Sequence, residues 1–156
     1  MQPNPNMYTL VKVDVASVYL GISVRKSFDL ADGGSANEPG LLWVWNLAHN
    51  ISGNRRDLRF LRAELVARGK GQDAEFRAMT LETVIDQVLP ARREGFYGGQ
   101  LDQAFQIRPR TRLDFGPELP GVRAGSGHWY RRTALAEFLK RRWLGTAILE
   151  AKAVAA

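Results

Sequence analysis

Hydrophobic and polar positions change rhythm several times along the chain, and each change predicts an element. From Leu10 to Gly21 the sequence reads LVKVDVASVYLG, an apolar, β-branched stretch in which strand and helix compete. Asp14 offers a carboxylate to cap a short helix over Val15–Leu20, and Ser23 opens a second helix from Val24 to about Asp32, stopped by Gly33 and Gly34. SANEPG is a loop, and the short apolar run LLWVWNL (41–47) is read as a strand. HNISGNRR makes a turn carrying two Arg, DLRF returns as a second strand, and LRAELVARG (61–69) is a helix with Leu61 and Leu65 one turn apart. GKGQDAEF is polar and twice interrupted by Gly, so it is the best boundary within the chain.

Beyond that boundary Thr80 caps LETVIDQVL, which Pro90 ends, and ARREGFYGG reads as a loop. QLDQAFQIRPRTRLDF (100–115) follows, then the turn GPELPG, a hairpin over VRAGSGHWY, and a final helix from about Arg132 to Ala151.

The second half repeats the first. Placing Ile22 over Ile107 aligns Arg25 with Arg110 and Asp29 with Asp114, and sets Leu20 on Phe105, Phe28 on Leu113 and Leu30 on Phe115. Downstream FLRAEL lies on YRRTAL, where Arg62 meets Arg132 and Leu65 meets Leu135. The order is helix, tight turn, basic helix, hairpin and Arg-headed helix, twice over.

This order resembles the winged helix-turn-helix domains of MerR-type and phage or plasmid excisionase-type DNA-binding proteins. YLGISVRKSF is similar to their short helix, turn and recognition helix; QIRPRTRLDF is similar to the variant with Pro at the first helical position. LRFLRAELVA and HWYRRTALAEFL resemble the wing strand and closing helix. The first copy departs in its long segment before the wing, which holds two Trp, and the second in having Gln106 where the first has Gly21. The resemblance implies an α+β, mainly helical fold of two tandem winged helix-turn-helix units with short β-hairpin wings. Their bounds are a flexible tail over 1–9, a first unit over 10–69, a linker over 70–79, and a second unit over 80–156. The units are expected to fold as separate readers.

In such a domain the second helix enters the major groove by its N-terminal residues. Those are Ser23, Arg25, Lys26 and Ser27 in the first copy, and Arg108, Arg110, Thr111 and Arg112 in the second. Arg can bond guanine through two hydrogen bonds. Phe28, Leu30, Leu113 and Phe115 are expected to face inward. The wings supply Asn54, Arg55, Arg56 and Arg59 in one copy and Arg123 and His128 in the other, with Arg131 and Arg132 near the sugar-phosphate backbone.

Composition changes this picture little but agrees with it. Against 16 Asp and Glu stand 22 Lys and Arg, a net charge of +6, and such a surplus attracts a polyanion. No apolar run approaches the roughly 20 residues that span a bilayer, and MQPNPNMYT lacks a signal layout. The absence of Cys removes disulfides and thiolate metal sites. A cytoplasmic, nucleoid-associated protein is expected, with no membrane partner.

His49 and His128 have no spaced ligand partners, and the four Trp read as core anchors. No Gly-rich phosphate loop ending in Lys-Ser/Thr, no HExxH and no G-x-S-x-G motif is present, so neither a cofactor nor an enzyme is expected. The reading is a sequence-specific binder of double-stranded DNA: a transcriptional regulator, or an excision or architectural factor, of a phage, plasmid or integrating element. Self-association or another DNA-bound protein is a further partner class. The alternative is a degenerate winged helix whose basic face binds an acidic protein; an RNA binder or a nuclease ranks below both.

Overall fold

A computed structural model of the chain describes residues 8–31, 42–48, 56–90 and 92–145. The fold is mixed α+β. Two small antiparallel sheets of three strands each are embedded among helices. In the first half β1 (Leu10–Lys12) runs directly into α1 (Val13–Leu20), followed by α2 (Val24–Ala31), β2 (Val44–Asn46), β3 (Leu58–Leu61) and α3 (Arg62–Gly69). Between the halves lie α4 (Ala74–Ala78) and α5 (Leu81–Val88). The second half has β4 (Gly95–Tyr97), α6 (Gly98–Ala104), α7 (Pro109–Asp114), a 3₁₀ turn (Gly116–Glu118), β5 (Val122–Ala124), β6 (Gly127–Arg131) and α8 (Arg132–Arg142).

Local chemistry explains most of the boundaries. Ser23 Oγ accepts from the Lys26 amide at 3.1 Å and so caps α2. Thr80 Oγ1 likewise accepts from the Thr83 amide at 3.2 Å and caps α5. Pro109 takes the first position of α7, where a missing N–H costs nothing. Asp14 is not a cap: α1 begins at Val13 with Lys12 at its N-cap, and Asp14 lies in the first turn.

Three further expectations are corrected. The ARREGFYGG loop contains β4, because the Phe96 ring has a core to enter and Gly95 can pass beneath the Trp129 indole. The presumed linker over 70–79 contains α4, whose Phe76 carbonyl accepts from the Trp43 indole N–H at 2.8 Å. The last helix is interrupted rather than continuous: α8 ends at Arg142, where Trp143 turns to extended backbone (φ −62°, ψ 126°) and bridges to Trp45, Leu144 and Gly145 are helical again, and the rest of the expected span to Ala151 lies outside the described residues. The loop SANEPG and the tip of the first hairpin lie outside the described residues.

The sequence repeat is a structural repeat, residue for residue. In the first sheet Leu10, Val11 and Lys12 pair with Leu61, Phe60 and Arg59; in the second Gly95, Phe96 and Tyr97 pair with Arg131, Tyr130 and Trp129. Both sheets place the third strand of their half in the middle, in the orders β1-β3-β2 and β4-β6-β5. The entry to the closing helix repeats as well: Arg62 N donates to Thr9 O at 3.1 Å, and Arg132 N to Glu94 O at 2.8 Å.

Alternation along the strands divides each sheet into two faces. Val11, Phe60, Val44 and Leu58 face α1, α2 and α3 and form a core of their own. Leu10, Trp45 and Leu61 point to the other side and enter a larger core with Val88 of α5 and with Leu101, Phe105, Tyr130, Phe138 and Leu139 of the second half. Trp45 is fully buried there, and its indole N–H donates to Leu139 O at 3.1 Å. Removing a buried Trp ring costs roughly 3–5 kcal/mol, so this contact is a large share of any small domain's stability. Trp43 stacks on Trp143 at 5.1 Å, and buried Arg142 donates to the carbonyls of Asn46 and Ala48 while pairing with Glu118. The two halves share one core.

Candidate nucleic-acid interface

Each half turns from its first helix to its second by the same geometry. In the first half Gly21 takes a left-handed backbone (φ 66°) and Ile22 N donates to Ser17 O at 3.2 Å. In the second Gln106 takes φ 51° and Ile107 N donates to Asp102 O at 3.0 Å. Gln106 is the one side-chain-bearing residue with positive φ among the described residues. It is secured from the first half: its Oε1 accepts from Lys12 N at 3.0 Å and its carbonyl from Arg59 Nη2 at 3.0 Å.

Those turns present the start of α2 and of α7. Val24, Arg25 and Lys26 are exposed in the first, and Arg108 and Arg110 in the second. Ser23 is exposed too, with its hydroxyl engaged as the cap. Arg110 reaches Asp114 one turn on at 3.5 Å with its side chain 87% exposed, a pairing weak enough to yield to a stronger anion. Thr111 is half-buried.

Two residues expected at this surface turn inward instead. Ser27 is fully buried and donates to Ser23 O at 3.0 Å, which ties it to the preceding turn. Its equivalent Arg112 is buried as well. Its Nε and Nη2 donate to Asp102 at 2.7 and 3.2 Å, and its Nη1 to the Tyr130 hydroxyl at 2.8 Å. Burial opposes the guanidinium charge, but the bonds to Asp102 and Tyr130 outweigh it and raise the pKa above its ordinary value. Gly98 leaves room for that guanidinium, which lies where a Cβ would be. Arg112 is therefore a strut that orients α7 from behind. Leu113, expected inside, is 48% exposed, whereas Phe115 is buried and Phe28 and Leu30 pack partly against the first core.

The wings divide likewise. In the second hairpin Arg123 pairs across from His128, and the turn passes through Gly125 at φ 62°. Arg123, Ser126 and Gly127 are exposed, while His128 is half-buried beside Tyr130. In the first, Asn54 and Arg55 lie outside the described residues, and Arg56 is exposed. Arg59 is corrected from wing contact to buried brace: it pairs with Asp57 and donates to the carbonyls of Phe105 at 2.7 Å and Gln106. Alternation in DLRF explains this: with Leu58 and Phe60 facing their own core, Arg59 must point to the opposite side. Arg131 is exposed. Arg132 is drawn inward, donating to Leu89 O at 3.0 Å and pairing with Asp86, and so joins α8 to α5.

Among the described residues no cluster of His, Asp and Glu could hold a metal ion, and no helix is long and apolar enough to cross a membrane. Comparison of the chain with protein-family models, curated proteins and solved structures found no match.

Proposed function

We propose that this chain is a tandem pair of winged helix-turn-helix units that binds double-stranded DNA sequence-specifically, as a regulator or architectural factor of a mobile element. One observation carries the reading. The same strand register, the same left-handed turn and the same exposed basic start of the second helix occur twice in one chain. A helix presented by its N-terminal end is the element that fits the major groove, where Arg reads guanine. With Ser27 and Arg112 facing inward, reading falls to Arg25 and Lys26 in the first unit and to Arg108 and Arg110 in the second. Arg123 and the glycines beside it suit a phosphate or a narrow minor groove.

Two unlike readers on one chain favour an asymmetric site, and the shared core sets a constant spacing between them. Selection of bound fragments from random DNA tests the proposal. The expected result is one asymmetric sequence, bound with a log–log salt slope of roughly −5 if about six phosphates are neutralised. Arg25→Ala and Arg110→Ala should each cost about 1–3 kcal/mol on that site and relax the preference locally. No preferred sequence, with nothing tighter than about 10⁻⁴–10⁻⁶ M at about 150 mM salt, would overturn it.

A further inference from the structure

Trp129 lies on the outer face of the second sheet. Its indole sits over Gly95 of β4, where a Cβ would meet three ring atoms at 2.5–2.6 Å. Glycine at that step is what lets the ring settle onto the strand backbone. Tyr97 pairs directly across from Trp129 and stands edge-on to it, with ring centroids 4.8 Å apart and planes at 72°. The two rings therefore form a floor and a wall. Tyr97 is 55% exposed, and Val122, on the other side of Trp129, is 53% exposed. Trp129 itself is only partly buried, and no hydrogen bond from its N–H is found among the described residues. The equivalent face of the first sheet, with Arg59 at the place of Trp129, is covered by the backbone of Phe105 and Gln106.

Charge decides what such a corner can hold. Residues 92–145 contain 11 Lys and Arg against 5 Asp and Glu, which accounts for the whole net charge of +6. Four of those five carboxylates are already paired: Asp102 with Arg112, Asp114 with Arg110, Glu118 with Arg142 and Glu137 with Lys140. Arg92, Arg108, Arg123 and Arg131 are exposed and show no ion pair among the described residues. Arg131 is two residues beyond Trp129 on β6, so it stands on the same face, about 7 Å further along the strand. An aromatic corner attracts cations as well as flat rings. Beside an unpaired arginine, on the half that holds the positive surplus, a cationic ligand is repelled and an anionic one drawn in.

We infer that the Trp129–Tyr97 corner binds an unpaired base of single-stranded DNA. The base stacks on the outer face of the Trp129 indole with its edge against Tyr97, and Arg131 meets a phosphate of the same strand. A flat, negatively charged polymer unit satisfies both features of the site, the ring floor and the unpaired cation. Stacking uses only the π-face that every base has, so this contact is tolerant of sequence. The choice of DNA rests on the proposed reading of a duplex by α7, which belongs to the same half. A strand that opens or ends beside the bound duplex is the one this face would take up.

Fluorescence anisotropy of a labelled oligothymidine of about 12 nucleotides, titrated with the full chain, tests this. Oligothymidine forms no duplex, so loss of its binding and loss of a preferred duplex sequence are separate results. Trp129→Ala should weaken binding about 5–100-fold, the worth of one stacked base, and Trp129→Phe should restore most of it. Circular dichroism checks that both variants fold. An abasic strand of the same length and charge should bind the wild-type chain as weakly as oligothymidine binds Trp129→Ala. Arg131→Ala should lower the log–log salt slope by about 0.7, the share of one phosphate on a single strand. An abasic strand bound as tightly as oligothymidine overturns the inference, because charge alone would then account for binding. So does a folded Trp129→Ala variant with unchanged affinity. Tighter binding of oligouridine RNA than of oligothymidine overturns the assignment to DNA.

Discussion

Gly21 and Gln106 occupy the same step of the two repeats and share a left-handed backbone, at φ 66° and 51°. For a residue with a Cβ this conformation costs roughly 1–2 kcal/mol. At Gln106 the cost is offset by neighbours: Lys12 N donates to its side chain and Arg59 to its carbonyl. Gln106→Gly should therefore be close to neutral, exchanging relief of strain for one lost hydrogen bond. Gln106→Ala keeps the strain and loses the bond, and should be about 1 kcal/mol less stable than the Gly variant. Urea denaturation of the two variants side by side checks the order.

Arg59 fastens the first sheet to the turn of the second repeat. Arg59→Met should cost about 1–3 kcal/mol, because the carbonyls of Phe105 and Gln106 lose their buried donor, while half-exposed Asp57 can turn to water. Because the core is common to both halves, unfolding should remain a single transition in wild type. The separate pieces 1–69 and 78–156 should be poorly folded, since each exposes one side of the Trp45–Leu139 contact. Calorimetry of the whole chain and circular dichroism of the pieces measure this; two well-folded pieces would show that the common core is dispensable.

Adjacent glycines at the start of α6 should respond in opposite directions. A methyl group on Gly98 meets the Arg112 guanidinium, which Asp102 and Tyr130 hold in place, so Gly98→Ala should destabilise by about 1–3 kcal/mol. Gly99 has open space around it, and Gly99→Ala should stabilise by about 0.4–1 kcal/mol by restricting the unfolded chain. Thermal denaturation separates the two. If α7 is a reading helix, Gly98→Ala should also weaken specific DNA binding, whereas Gly99→Ala should leave it unchanged.

Glu64 makes stability depend on pH. Its carboxyl is buried, and burial pushes its pKa from 4.5 up to about 7, against the lowering effects of the Trp43 amide that donates to it and of nearby Arg68 and Arg77. Between those two values the folded protein keeps a proton that the unfolded chain has released. Stability from this group is therefore full below about pH 4.5, falls as pH rises to about 7, and is flat above it. The whole change is of order 3 kcal/mol, at about 1.4 kcal/mol per pH. Glu64→Gln retains an acceptor for Trp43, so it should remove this slope and be the more stable protein at pH 8. Denaturation midpoints from pH 5 to 8 provide the check.

Several parts of this protein are legible in local chemistry alone. Ser23 and Thr80 as caps, Pro109 at the first position of α7 and the hairpin before Arg131 all follow from interactions spanning a few residues, which any chain of that sequence makes wherever it folds. The repeat was legible for the same reason, since equal backbones need similar residues at similar steps. What Arg25, Arg59, Arg110 and Arg112 do was not legible, because four arginines in basic, turn-rich segments look alike in one dimension. Packing of the second half against the first sends Arg59 inward to the Phe105 and Gln106 carbonyls, and Asp102 and Tyr130 of its own half draw Arg112 inward, whereas Arg25 and Arg110 stay exposed. The same packing decided the boundary at 70–79: its Gly-rich polarity reads as a linker, yet Trp43 and Trp45 gain more by burial against Phe76, Leu139 and Trp143 than by ending within their own half. Local sequence determines elements over a few residues; which face of each element is buried depends on residues brought in from elsewhere in the chain, as Leu139 is to Trp45 and Phe105 to Arg59.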